Sequence, residues 1–111
     1  MMRIGLLGAS RVSRYAVIEP AGVVEGARVS SVAARDPALA AVFARENEIP
    51  NVEADYEALV TSNTVDLVYN GLPPSSHARW TIAALAAGKH VLCEKPFAMN
   101  AGEAQAMVDA A

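Results

Sequence analysis

The sequence predicts a doubly wound α/β fold: one parallel sheet of about five strands, helices on both faces, in a single domain over residues 1–111. Three observations carry that prediction. The chain opens on an apolar run, Ile4, Leu6 and Leu7, which closes on Gly8 and passes straight into a helix start. Strand and helix signals then alternate about every 20–25 residues, the rhythm of crossover connections in a parallel sheet. The helix starts carry capping residues, and the opening run has no polar break, as in a strand buried on both faces.

Each element follows from its residues. The first strand runs from Ile4 to Leu7, and Gly8 ends it where the backbone must turn with no side chain in the way. Ser10 can cap the next helix, its hydroxyl accepting a free N–H of the first turn. That helix should run from about Ser10 to Glu19 and stop at Pro20, with 21–26 as a loop. Arg28 to Ala34 reads as the second strand, built of small and β-branched residues. Asp36-Pro37 opens a helix, Asp at the cap and Pro at the first position, with Leu39, Val42 and Phe43 spaced for one face. Ile49 to Ala54 can supply a short third strand, and Asp55 caps a short helix with Tyr56, Leu59 and Val60 inward. Val65 to Asn70 is the fourth strand, with 71–74 the loop leaving it. Ser75 or Ser76 caps a helix that reaches Ala87 and closes at Gly88. Its Trp80, Ile82 and Leu85 read as core. His90 to Cys93 is a buried fifth strand in which Cys93 is an inert small hydrophobe. Asn100-Ala101-Gly102-Glu103 resembles a capping box that opens a last helix, with Met107, Val108 and Ala111 on one stripe.

Composition narrows the function classes. Hydrophobic residues make up 53% of the chain and charged residues 19%, which suits a compact globular domain and not a disordered one. A net charge of −3 argues against a nucleic-acid partner, which would call for a basic face. No run approaches the ~18 apolar residues of a membrane helix. Met1-Met2-Arg3 leads directly into the first strand, so neither a membrane partner nor a signal peptide is expected. Cys93 is the one cysteine and has no internal disulfide partner, which points to a reducing cytoplasm.

The chemistry should sit beyond the carboxyl ends of the strands, where open parallel sheets bind ligands. A strand, a glycine turn and a helix N-terminus aim free amides and the helix dipole at one spot, an anion site suited to a pyrophosphate. The dinucleotide fingerprint would place glycine at 8, 10 and 13; this chain has Gly8, Ser10 and Ser13. Arg35 and Asp36 follow the second strand, where an adenosine ribose would lie. Pro37 makes Asp36 a helix cap, which leaves Arg35 to pair through its planar fork with a 2′-phosphate and favours NADP. His77 falls in the first turn of a helix near the nicotinamide end, where a lone surface histidine usually serves local hydrogen bonds. Lys95, in Glu94-Lys95-Pro96 directly after the fifth strand, can hydrogen-bond a substrate hydroxyl and steady the alkoxide that forms as hydride leaves. Its alternative is a solvent-facing lysine paired with Glu94.

The run Gly88-Lys89-His90-Val91-Leu92-Cys93-Glu94-Lys95-Pro96-Phe97-Ala98 resembles the signature of the Gfo/Idh/MocA oxidoreductases. Ala33-Ala34-Arg35-Asp36-Pro37, Asp55-Tyr56-Glu57-Ala58-Leu59 and Leu72-Pro73-Pro74-Ser75-Ser76-His77 also fall where that family has them. The resemblance covers the whole chain. It implies a Rossmann domain that binds NADP, with NAD as the alternative, and hydride transfer to or from a sugar, polyol or dihydrodiol. By that resemblance Lys95 matches the catalytic lysine, and Gly8, Ala9, Ser10, Arg11, Val12, Arg35, Leu72 and Pro73 match cofactor contacts. His77, Glu94 and Lys95 complete the expected cofactor-binding set, and no metal site is expected. Family members carry a second α/β domain with most substrate contacts and usually the oligomer interface. These 111 residues are therefore expected to bind cofactor without turnover, and a longer protein to be a homo-oligomer. Two other readings stay open: a non-catalytic dinucleotide sensor, and a structural module in which Ser10 prevents cofactor binding.

Overall fold

The computed structural model describes residues 2–10, 13–23, 25–94 and 98–111. Strands β1 (Met2–Leu7), β2 (Ala27–Ala33), β3 (Asn51–Val52), β4 (Leu67–Asn70) and β5 (His90–Cys93) form one parallel sheet in the order β3-β2-β1-β4-β5. β1 is therefore central, and the order reverses between β1 and β4, which opens a crevice beyond the carboxyl ends of the strands. Leu6 and Leu7 are both 0% exposed and belong to different core clusters, one on each face of the sheet. Burying each contributes about 1.5–3 kcal/mol, which is why the central strand has no polar break.

Helices cover both faces. Helix α1, made of a wide π-helical turn (Arg14–Ile18) and an α-helical segment (Glu19–Val23), packs Val17, Ile18 and Ala21 against Ile4, Leu6 and Val32. Helix α2 (Pro37–Glu46) adds Phe43 and Ala44 on the same side. Leu59 and Val60 of α3 (Tyr56–Thr61) and Trp80, Ala83 and Ala84 of α4 (His77–Ala86) cover Leu7, Ala33 and Val68 on the other side. Tyr56 and Trp80 meet edge to face at 5.4 Å, so both expected core aromatics are packed. Helix α5 (Ala101–Ala110) docks on α4.

Caps fall where the sequence places them. Asp36 accepts from Ala38 N at 2.9 Å, Asp55 from Ala58 N at 2.8 Å, and Asn100 from Glu103 N at 2.9 Å. Glu103 answers with Oε1 on Met99 N at 2.8 Å, the return half of the box displaced by one residue. Neither Ser75 nor Ser76 acts as expected. Pro73-Pro74 starts a 3₁₀ turn (Pro74–Ser76), closed by Ser76 N to Pro73 O at 2.9 Å, and Ser76 makes no side-chain cap.

Other expectations are overturned. Pro20 does not end the first helix, which continues to Val23. The π-helical turn resets the hydrogen-bond register just before it, so Pro20 sits in the first turn of the α-helical segment, where its missing N–H costs little. On α2 the inward residues are Ala40 and Ala44, whose small size lets the helix approach the sheet, while Leu39 and Val42 are 61% and 41% exposed. β5 is an edge strand and not a buried one: Leu92 is 52% exposed and Cys93 half-buried. Burial pushes the Cys93 thiol up, consistent with an inert residue. On α5, Met107 is buried but Val108 is 62% exposed.

Candidate functional site

The crevice at the switch point is a cleft of about 960 Å³. Its walls come from four strand ends: Gly8, Ala9 and Ser10 after β1, Ala34 to Pro37 after β2, Gly71 to Pro73 after β4, and Glu94 after β5. Leu39 of α2 and Tyr56 of α3 close it on the β2 side.

Gly8 has φ +94°, a left-handed conformation that favours glycine, and its N–H donates to Ala33 O at 2.8 Å. A Cβ there would also crowd Leu72 Cδ2 at 3.3 Å, so the turn lies close against the β4–α4 loop. Ser10 Oγ accepts from Ser13 N at 3.2 Å and lies 2.8 Å from Ser13 Oγ, so the expected cap of the first helix is present. Arg11 and Val12 lie outside the described residues, as does Lys95.

The opposite wall is held from beneath. Leu72 N donates to Asn70 Oδ1 at 3.3 Å, and His77 Nε2 donates to Leu72 O at 2.5 Å. Asn70 Nδ2 donates in turn to His77 O at 3.1 Å and Thr81 Oγ1 at 3.0 Å. Asn70 and His77 are 0% and 1% exposed. His77 is therefore not the surface histidine the sequence suggested and does not line the cleft. Its ring lies behind the loop, with Nε2 on the Leu72 carbonyl.

The cleft's charge is split between its ends. Arg35 is exposed at the end of β2, and beside it the Asp36 carboxylate is taken up by the α2 cap. At the other end Glu94 accepts from the Tyr69 hydroxyl. Burial, more than the Arg35 charge and backbone can offset, raises the pKa of the Tyr56 phenol, which keeps it a neutral donor at the Arg35 end. Sequence reasoning brought Gly8, Ala9, Ser10, Arg35, Leu72, Pro73 and Glu94 to one cleft, where the structure also has them. It missed Tyr56 and Leu39, which pattern as helix-face residues; an aromatic or apolar residue in a helix's first turn after a strand end is the signal that would have found them.

The residues fit a dinucleotide. Gly8 keeps the first turn clear of a Cβ beside Leu72, Ser10 marks a helix start, and the exposed Arg35 stands at the β2 end. Residues 2–111 match the profile of the GFO_IDH_MocA oxidoreductase family, the NAD-binding Rossmann fold. The chain belongs to the Gfo/Idh/MocA family. It is 40% identical over 108 residues to a D-xylose 1-dehydrogenase (NADP(+)) of Haloferax volcanii, covering 97% of this chain and 33% of that protein. It is 42% identical over 113 residues to a 1,5-anhydro-D-fructose reductase of Ensifer adhaerens, covering 100% and 33%. Among solved structures, the 3-ketoreductase KijD10 of Actinomadura kijaniata, in complex with NADP and TDP-benzene, matches at TM-score 0.88 and 31% identity over 98% of this chain and 33% of that one. The chain thus spans about a third of the Gfo/Idh/MocA relatives it matches, and that third is their NAD-binding Rossmann domain.

Proposed function

We propose that the chain is the cofactor-binding part of an NADP-preferring oxidoreductase acting on a hydroxyl or carbonyl of a sugar, polyol or dihydrodiol. The observation that carries the cofactor preference is the pairing at the β2 end: Asp36 caps α2, so Arg35 alone presents its charge where the adenosine ribose lies. Names of relatives, a D-xylose dehydrogenase (NADP(+)) and dihydrodiol dehydrogenases, support the substrate class. The nicotinamide, when bound, supplies hydride acceptance or donation. This chain's residues do the rest: Gly8 to Val12 bind the pyrophosphate, Arg35 the 2′-phosphate, and Leu72-Pro73 orient the nicotinamide half. Lys95, next in sequence to Glu94, holds the substrate hydroxyl and steadies the alkoxide. The complete protein works as a homo-oligomer in a reducing compartment; no helix among the described residues is long and apolar enough to cross a membrane.

The test is titration of the 111-residue chain with NADPH and NADH. A charge-assisted pair is worth about 1.5–3 kcal/mol, so NADPH should bind roughly ten- to a hundredfold more tightly. Arg35→Ala should abolish that preference and leave NADH affinity nearly unchanged. A wild-type chain that prefers NADH would overturn the reading. In the complete protein, Lys95→Met should lower kcat by roughly 10² or more with little change in cofactor affinity.

A further inference from the structure

Tyr69 is 1% exposed in the middle of the core beneath α1 and α2, among Ile4, Leu6, Val17 and Val32. A phenylalanine would fill the same apolar space. The hydroxyl is therefore not required for packing, and an unsatisfied hydroxyl at that depth would be costly. It is spent on Glu94, across from β4 at the end of β5, by a direct hydrogen bond to Oε2. The ring has room because Gly71 lacks a side chain: a Cβ there would lie 2.9 Å from Tyr69 Cε2. The main chain of Glu94 is pinned by the neighbouring residue of the same strand, its N–H donating to Asn70 O at 3.1 Å. Fixing a glutamate costs it rotamer freedom, and here that loss is taken on folding, before any ligand arrives. Burial, and then the Glu94 carboxylate, push the phenol's ionisation well above its ordinary value, so the O–H remains a donor throughout the working pH range.

Glu94 lines the cleft at the end opposite Arg35. β2 and β5 are separated by β1 and β4, three strand spacings or roughly 14 Å. A dinucleotide whose 2′-phosphate sits at β2 therefore brings its nicotinamide riboside toward β5. The donors on that half are ribose O–H and carboxamide N–H groups, and a carboxylate oxygen accepts from either. We propose that Tyr69 is a positioning residue: it holds Glu94 so that the second carboxylate oxygen, Oε1, receives the hydrogen-bond donors of the nicotinamide half. This rests on the cofactor reading given above.

The experiment compares two probes on the 111-residue chain. NADPH contacts both ends of the cleft, whereas adenosine 2′,5′-bisphosphate reaches only the adenosine end. Tyr69→Phe should weaken NADPH about fivefold or more and leave the bisphosphate within twofold. Glu94→Ala should give the same split, and the double variant should bind NADPH no worse than Glu94→Ala alone, since both changes remove one interaction. Unchanged NADPH affinity in Tyr69→Phe overturns the proposal. Equal weakening of both probes, or failure of Tyr69→Phe to fold, also overturns it, because the hydroxyl would then serve the fold. A wild-type chain that binds neither probe defeats the cofactor reading itself, and with it the role of Tyr69.

Discussion

Arg3 and Asp66 form the ion pair that ties the start of β1 to the start of β4. The guanidinium meets both carboxylate oxygens, at 3.0 and 3.1 Å, and the Arg3 N–H adds a third bond at 2.8 Å. These bonds to Arg3 hold the Asp66 carboxyl down at about 2, against an ordinary 3.8. A folded-state pKa below the unfolded one gives stability that is present above the ordinary value and disappears as pH falls through the folded value. The melting temperature should accordingly fall between about 3.8 and about 2, and Asp66→Asn should flatten that segment of the curve. An Asn variant with the same acid slope as the parent would show that other carboxylates carry it. Asn70 is the other residue on which much rests. Removing its side chain leaves Leu72 N–H and His77 O without their buried partner, so Asn70→Ala should cost roughly 1–3 kcal/mol or more in urea unfolding. Neither role could be read in the chain: Asp66 reads as one polar residue near the start of the fourth strand, and Asn70 merely ends that strand. Tyr69 is hidden for the same reason, its partner lying 25 positions away.

At the scale of elements, what the sequence made legible was local chemistry. Asp36-Pro37, Asp55 and Asn100 each satisfy an N–H within three residues, and Gly8 ends a strand by its own backbone preference. Such signals need no knowledge of the rest of the fold. Asn100→Ala should therefore loosen α5 by about 1 kcal/mol, seen as faster amide exchange in its first turn with little effect on α4. Misreadings arose where the sheet decides. Of Leu39, Val42 and Phe43 only Phe43 packs on the core; the fully buried residues of the helix are Ala40 and Ala44, because close approach to the sheet favours small residues. Leu39 is left for the cleft. Pro20 read as a stop because an α-helix has no place for it in mid-run; a widened turn before it supplied one.

For the molecule as a whole, a ligand that binds only the folded chain raises its stability by mass action. NADPH at a hundred times its Kd adds about 2.7 kcal/mol, which for a domain of this size raises Tm by roughly 10 °C. NADH at the same concentration should raise it by clearly less, and equal shifts would argue against a role for Arg35. The central place of β1 has a consequence in time. A strand that leads the chain but pairs on one side with β4 must wait for that neighbour to be made: Arg3 and Asp66 are 63 positions apart. At roughly 5–20 residues per second, the ribosome takes about 3–13 s to cover that interval. Through it Leu6 and Leu7 stand on an open edge, the most apolar strand of the sheet exposed longest. Nascent chains halted before β4 should accordingly bind holdase chaperones and be cut by protease. Release should come as β4 and then β5 clear the exit tunnel and the first strand gains its second neighbour.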